Sequence, residues 1–119
     1  MAWKFTPDRA VYIQIADRVR KAVLSGEYRA GEQLPTVRQL AMDAAVNPNT
    51  VQRAYTELED EGIIVVQGTL GRFVTEDLEV IRHIRERLAR EITGAFLEEM
   101  SRLSIAPEQV ISLIKEVKV

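Results

Sequence analysis

Apolar residues near the start of the chain follow two different periods. Trp3 and Phe5 alternate with polar residues, which predicts a short extended arm. A stretch at helical spacing follows and ends at Ser25, where Gly26 can supply the left-handed residue that terminates a helix. The apolar positions of this first predicted helix are Tyr12, Ile15, Val19 and Val23.

Two further helical segments follow, separated by a tight turn. Thr36 and Gln39 fit a capping box, in which each side chain bonds a free amide at the start of a helix. The pattern stops near Ala45, and Asn47 can cap a third helix that begins with Pro48. Two helices joined in this way form a helix-turn-helix. The apolar face of the third helix is predicted to be Val51, Ala54, Tyr55 and Leu58.

The residue types change after Gly62 from helix formers to β-branched residues. Residues 63–66 and 72–75 read as two short strands, and Gly68 and Gly71 lie in the turn between them. A hairpin directly after a helix-turn-helix is a wing. The sequence therefore predicts a mainly α fold with one small β-hairpin, and residues 1–75 as a winged helix-turn-helix DNA-binding domain.

Residues 76–119 return to helical spacing, with a break at 104–106 and a last helix opened by Pro107. Burial of each large apolar side chain is worth about 1.5 to 3 kcal/mol, so an unpartnered stripe of them is unfavourable in water. Part of the stripe can cover the winged domain, and we expect the rest to pair two copies in a homodimer. Gly94 either permits close helix approach or is a flexible site. The predicted dimerisation residues are Ile81, Ile84, Leu88, Ile92, Phe96, Met100, Leu103, Ile111 and Ile114.

The composition of the chain reduces the number of possible functions. The chain has 119 residues, 46% of them apolar, and neither a signal-peptide pattern nor a run long enough to span a membrane, so we expect a cytoplasmic protein with no membrane partner. It lacks cysteine, and its one histidine, His83, is expected at the surface and not in a metal site. No catalytic triad, phosphate loop or spaced carboxylate pair is evident. We expect neither enzymatic activity nor a cofactor.

The outer face of the third helix carries the candidate DNA-reading side chains. Asn49, Arg53 and Thr56 lie opposite the apolar face, and Thr50 and Gln52 flank them. Amide side chains can pair bidentately with adenine. The first turn holds no acid, although the helix dipole favours one there, and an anionic partner would explain this. Arg38 lies in the first turn of the second helix, where its positive charge is unfavourable beside the positive end of the helix dipole. A bound phosphate would offset this repulsion. Alternatively, the outer face of the third helix is only a solvated polar surface. For Arg38 the alternative is an ion pair with Asp43.

The wing completes the candidate interface. Arg72 and the exposed glycines can approach the minor groove or the backbone, although Gly68 and Gly71 can equally serve only to make the turn. Between residues 33 and 56 the only charged side chains are Arg38, Asp43 and Arg53, so we expect weak affinity for random DNA and specificity that rests on base reading. The predicted DNA-binding residues are Arg38, Asn47, Asn49, Thr50, Gln52, Arg53, Gly68 and Arg72.

Four strings of the sequence resemble the GntR family of bacterial regulators: VYIQI, SGEYRAGEQLPTVRQLA, VNPNTVQRAYTELEDEGII and GRFV. They cover about residues 7–75, and the short tail further resembles the YtrA subfamily, which pairs through two helices and has no large effector domain. The resemblance implies DNA contacts at Arg38, Asn49, Thr50, Gln52 and Arg53 and at the wing. The chain departs from the family where Pro48 replaces a common arginine and where the first glycine of the wing tip is displaced.

These observations favour a sequence-specific transcriptional regulator. We expect a repressor that binds a two-fold-related double-stranded operator as a homodimer. The alternative is a winged-helix module that binds another protein and not specific DNA, since the chain is not basic. Control by a small-molecule effector is a third possibility, although no ligand pocket is recognisable in the sequence.

Overall fold

The computed structural model describes residues 3–118 and is mainly helical, with one two-stranded antiparallel hairpin, as predicted. The described chain forms two compact units, which divide between Arg82 and His83 and thus within a helix, seven residues later than the boundary expected from the sequence. The elements are α1 (Val11–Leu24), α2 (Val37–Ala44), α3 (Pro48–Asp60), β1 (Ile64–Val66), a 3-10 turn (Gly68–Leu70), β2 (Arg72–Val74), α4 (Leu78–Arg102) and α5 (Pro107–Glu116).

The helix-turn-helix is defined by side-chain caps at the start of both helices. The Gln39 amide donates to Thr36 Oγ1 at 3.1 Å and the Thr36 amide donates to Gln39 Oε1 at 2.9 Å, which confirms the capping box. Asn47 Oδ1 accepts from the Asn49 amide at 2.8 Å, and Pro48 takes the first position of α3. These bonds satisfy amides that have no partner within the helix, so they fix where α2 and α3 begin.

The turn between α2 and α3 contains a residue in the left-handed region that is not glycine. Ala45 has φ 58° and ψ 48°, and its amide bonds back to the last turn of α2. A left-handed alanine costs about 1 kcal/mol relative to the helical region, and the bond from the Val46 amide to the Ala41 carbonyl helps to hold it. The chain therefore reverses within three residues and brings α3 across α2.

The core of the first unit lies between α1, α2 and α3. The predicted inner face of α3 is confirmed, because Val51, Ala54, Tyr55 and Leu58 are all fully buried. Ile15 and Val19 of α1 and Leu40 of α2 are buried in the same unit, together with Ile63, Ile64 and Val74 from the hairpin region. With its inner face wholly in the core, α3 presents its polar face outwards.

The second strand of the wing, β2, is hydrogen-bonded along both of its edges. In the hairpin, Ile64 pairs with Val74 and Val66 with Arg72. On the other side, the loop before α2 adds three backbone hydrogen bonds, from the Gly31 amide to the Val74 carbonyl, from Val74 to Glu32 and from Leu34 to Arg72. The second strand is therefore fixed both to the hairpin and to the segment that leads into α2.

A partly buried ion-pair cluster ties α1 to the end of α3. Arg20 Nε donates to Glu61 Oε1 at 2.9 Å, and Arg20 Nη1 donates to Asp17 Oδ1 at 2.6 Å. Burial acts to lower the pKa of Arg20, but the hydrogen bonds and charges of Glu61 and Asp17 outweigh it and leave the pKa raised. The guanidinium is thus held in its charged form against the core.

The tail consists of α4 and α5, as expected, with Ser104 in the left-handed region between them. Ile81 and Ile84 are buried within the single chain, and Leu88 and Met100 are half-buried. A methyl group built on Gly94 would meet no side chain within 4 Å, so packing within the chain does not require glycine there. The other predicted dimerisation residues are exposed in this chain: Ile92, Phe96, Leu103, Ile111 and Ile114.

Candidate nucleic-acid interface

The outer face of α3 is polar and accessible. Asn49, Gln52, Arg53 and Thr56 are exposed, and Thr50 is half-buried. No acidic residue occupies the first turn of α3 or of α2. Both helix N-termini therefore present a positive dipole end without a carboxylate to neutralise it.

Arg38 lies exposed in the first turn of α2, beside that acid-free N-terminus. In the described part of the chain no ion pair joins it to Asp43, the partner considered from the sequence. The Asp43 carboxylate instead accepts a hydrogen bond from the Trp3 indole at 3.3 Å. Arg38 and the amides of the α2 N-terminus can therefore act together on one phosphate.

An aromatic ring positions Arg53. The centre of its guanidinium lies 3.9 Å from the centroid of the Tyr12 ring, at the start of α1. Asn49, Thr50 and Val11 complete the lining of an open cavity of about 310 Å³ around this pair. The contact holds a positive charge beside the N-terminal half of α3, where a helix-turn-helix approaches DNA.

Arg72 makes more contacts than the sequence suggested for a cation on a wing. Its Nε donates to Glu59 Oε1 at 2.6 Å, and its Nη2 donates to Gln52 Oε1 at 3.2 Å. The guanidinium centre also lies 5.3 Å from the centroid of the Tyr55 ring. The wing is thereby joined to α3 by a charged hydrogen-bond network, and the charge of Arg72 is balanced within the protein.

The wing tip is a 3-10 turn with glycine at both ends. Gly68 and Gly71 have φ of 55° and 117°, where other residues are strained, so the turn itself accounts for both glycines. Gln33 Nε2 donates to the Leu70 carbonyl at 2.8 Å, and a methyl group on Gly71 would lie 3.0 Å from the same nitrogen. Gln33 therefore holds the tip against the loop that leads into α2.

These elements bring several of the predicted residues together. Arg38, Gln52 and Arg72 line one open cavity of about 520 Å³ between the start of α2 and the wing. Asn47 and Asn49 lie at the start of α3, where the Asn47 oxygen is used as the helix cap. The α2 N-terminus, Gln52 of α3 and the wing thus border one concave surface, whereas Asn49, Thr50 and Arg53 line the other cavity, beside Tyr12.

Some residues of this surface escaped sequence analysis. Tyr12 belongs to the predicted apolar face of the first helix, and neither Glu59 nor Gln33 is among the predicted interface residues. Each partner is distant in the sequence, for example 41 residues from Tyr12 to Arg53. In the sequence Gln33 is only a polar residue close to Gly31, which is at most a weak indication that it contacts the wing tip.

Within residues 3–118, no group of three or more His, Cys, Asp or Glu side chains could hold a metal ion. No helix in the described segment has both the length and the apolar composition needed to cross a bilayer.

Comparison with known proteins agrees with this geometry. The family described as "Bacterial regulatory proteins, gntR family" matches residues 11–74, which run from the start of α1 to the end of β2. The HTH-type transcriptional regulator YhcF of Bacillus subtilis is 34% identical over 112 residues, which cover 94% of this chain and 93% of that protein. The HTH-type transcriptional repressor YtrA of the same organism is 42% identical over 67 residues, covering 56% of this chain and 52% of that protein.

A solved structure shares nearly the whole architecture. A GntR family transcriptional regulator from Listeria monocytogenes superposes with a TM-score of 0.89 at 38% identity, and the match covers 96% of this chain and 100% of that one. The agreement extends beyond the residues matched by the family and includes the helical tail. This chain is therefore a helix-turn-helix transcriptional regulator that belongs to the GntR family of bacterial regulatory proteins.

Proposed function

We propose that the protein is a sequence-specific repressor that binds a two-fold-related operator as a homodimer. The observation that carries this proposal is the concave surface on which Arg38, Gln52 and Arg72 meet beside the acid-free N-terminus of α2. The repressor role is supported by the similarity to YtrA of Bacillus subtilis, which is named as a repressor. Occupation of a promoter by such a protein would exclude RNA polymerase.

On this proposal the residues divide into two roles. Arg38 and the α2 amides hold a phosphate and set the position of the domain on the duplex, while Asn49, Thr50 and Gln52 read base edges in the major groove. Arg53, held over Tyr12, adds a second cation beside the N-terminal half of α3. With few cations at the interface, specificity rests mainly on the amide and hydroxyl side chains.

The tail supplies the dimer in this proposal. Five of the predicted pairing residues leave apolar surface exposed in the single chain, including Phe96, Leu103 and Ile114 at 40%, 69% and 62%. Burial of such side chains against a second copy provides the free energy for association. Two copies related by a two-fold axis would present their α3 helices to successive major grooves, about 34 Å apart.

The protein works in the cytoplasm, without a cofactor and without a catalytic step of its own, in keeping with relatives that are named as transcriptional regulators. Contacts from Asn47, Gly68 and Gly71 to DNA are secondary in this scheme, since a helix cap and a turn already account for those residues. Control by a small-molecule effector stays a prediction from the sequence.

A gel-shift titration against DNA from the promoter of the protein's own gene tests the proposal. Combined replacement Arg38→Ala and Gln52→Ala is expected to weaken binding at least tenfold, because a phosphate contact and a base contact are both lost. Arg29→Ala, which removes an exposed arginine from the loop between α1 and α2, is the control and is expected to bind normally. Unchanged binding by the double variant would reject the assignment of this surface.

The second candidate function is a winged-helix module that binds another protein. The net charge of −2 is the observation that favours it. This candidate predicts that the wild-type protein shows no salt-dependent binding to any duplex. The proposed DNA-binding function predicts a linear fall in the logarithm of the binding constant with the logarithm of salt concentration.

A further inference from the structure

The side chain of Arg72 is fixed by three groups of α3. Glu59 accepts from its Nε at 2.6 Å, Gln52 accepts from its Nη2 at 3.2 Å, and the Tyr55 ring lies beneath the guanidinium. Tyr55 is fully buried, and its hydroxyl donates to the Pro35 carbonyl at 2.8 Å. The Tyr55 ring under Arg72 therefore belongs to the core of the domain and not to the wing.

The ion pair with Glu59 changes what Arg72 can do at a DNA surface. The two side chains are 24% and 25% exposed, so solvent screens the pair less than it would screen a pair at the open surface. A phosphate would have to compete with a carboxylate that is already in contact. The net charge that the pair offers to DNA is close to zero, which is a poor basis for a backbone contact.

Gln52 is held at both ends of its amide group. Its Oε1 accepts from Arg72, and its Nε2 lies 3.4 Å from Thr56 Oγ1, to which it donates. Thr56 Oγ1 in turn donates to the Gln52 backbone carbonyl at 3.0 Å, so the hydroxyl is oriented to accept. Each end of the amide keeps one hydrogen-bonding position free, which is what bidentate pairing with adenine requires.

We propose that Arg72 is a positioning residue, which fixes the orientation of the Gln52 amide for base reading and does not contact the phosphate backbone. This inference rests on the proposed DNA-binding function. An amide that is free to turn over exchanges its donor and its acceptor, and with them its preference between bases. Arg72 on the wing and Thr56 one helical turn further along α3 select one of the two orientations. The wing thereby contributes to sequence specificity through α3.

The test measures discrimination between two DNA sequences. A duplex library with a randomised core is selected with the full-length wild-type protein, and the base that depends on Gln52 is identified by repeating the selection with Gln52→Ala. Discrimination is the ratio of the affinities for the selected duplex and for a duplex altered at that base. Arg72→Lys keeps the charge but removes the fork that reaches Glu59 and Gln52 together, and it is expected to reduce discrimination about tenfold.

A double-mutant cycle separates positioning from a direct contact. In the Gln52→Ala background, Arg72→Lys is expected to have no further effect on discrimination, because the side chain that it orients is absent. The dependence of affinity on salt is expected to stay the same for all four proteins. Additive effects, or a salt slope about 0.9 smaller than that of the wild type when Arg72→Ala is combined with Glu59→Gln so that both charges of the pair are removed, would overturn the inference and identify Arg72 as a phosphate contact.

Glu59→Gln provides an independent variant at a partly exposed position. Release of Arg72 from its ion pair is expected to lower discrimination and to raise affinity for random duplex, with a salt slope steeper by about 0.9. An unchanged slope and unchanged discrimination would overturn the inference. Melting temperatures of the free variants show that the wing is intact. Failure of the wild-type protein to select any sequence would reject the proposed function itself and this inference with it.

Discussion

The guanidinium of Arg53 lies over the ring of Tyr12, with 3.9 Å between the guanidinium centre and the ring centroid. This pair connects the start of α1 to the outer face of α3. One of the few cations of the proposed interface is therefore held by a ring that belongs to the same domain. The first helix therefore contributes to the proposed DNA surface without a base contact of its own.

Replacement of the Tyr12 ring should weaken DNA binding without loss of the fold. A cation–π contact at an accessible site is worth about 0.5 to 1 kcal/mol, so Tyr12→Leu is expected to reduce operator affinity by about two- to fivefold. Fluorescence anisotropy with labelled operator measures this change. Tyr12→Phe keeps the ring and should bind like the wild type. If Tyr12→Leu binds normally while Arg53→Ala does not, the ring is not what positions Arg53.

The Arg20–Glu61 pair should matter for stability and not for DNA recognition. Glu61→Gln leaves the partly buried Arg20 guanidinium with one carboxylate partner, Asp17, in place of two, so the substitution is expected to lower the free energy of unfolding by about 2 to 3 kcal/mol. Chemical denaturation followed by circular dichroism gives this value. Glu91→Gln, at an exposed pair on α4, should change it by less than about 1 kcal/mol. Equal effects of the two substitutions would contradict the structural role.

Alkaline pH should destabilise the domain through Tyr55. Burial raises the pKa of Tyr55 well above the ordinary 10.0, the neighbouring Tyr28 adds to the rise, and Arg72 opposes it. Because the folded pKa is raised, the stabilisation is fully present below pH 10 and is lost as the pH rises further. We expect stability to fall by up to about 1.4 kcal/mol per pH unit for this group.

Denaturation at a series of pH values above 10 measures the slope. Tyr55→Phe removes the titrating hydroxyl, and it should flatten the slope while costing about 1 kcal/mol at neutral pH for the lost bond to Pro35. Some slope is expected to remain, since burial also raises the pKa of Tyr28. A slope that Tyr55→Phe leaves unaltered would show that other groups control alkaline unfolding.

The exposed apolar residues of the tail should control self-association. Combined replacement Ile92→Arg and Phe96→Arg places two charges on surface that is 55% and 40% exposed in the single chain, and burial of these charges in an interface is strongly unfavourable. Sedimentation equilibrium is expected to show dimers of the wild type and monomers of the variant. Glu98→Arg, at an exposed polar position of the same helix, is the control. A variant that still dimerises would place the interface elsewhere.

Local signals in the sequence were sufficient to predict most of the fold. The Thr36–Gln39 capping box and the Asn47 cap each involve residues close together in the chain, and their hydrogen bonds are those that the residue types predict. The buried face of α3, including Tyr55, follows from the helical period alone. The left-handed Ala45 could not be anticipated, because alanine has no preference for that region and only the closed turn holds it there.

The electrostatic partners at the site were beyond the reach of sequence analysis. Arg72 and Glu59 are 13 residues apart and meet only because the hairpin folds back on α3. Arg20 and Glu61 are 41 apart and depend on the packing of α1 against α3. Charged residues have many possible partners at similar energies, so no short pattern identifies the pair that forms. Sequence analysis therefore proposes which face of the domain meets DNA, but it does not identify the residues that hold the cations of that face.

The position of Trp3 gives the protein an intrinsic fluorescence probe. Trp3 is the only tryptophan of the chain, its indole donates to Asp43 of α2, and the guanidinium of Arg18 from α1 lies 4.1 Å from its ring centroid. Its emission therefore comes from a single place, where the N-terminal arm contacts both helices. Any spectral shift on addition of DNA would report a rearrangement of that arm, with no label attached to the protein.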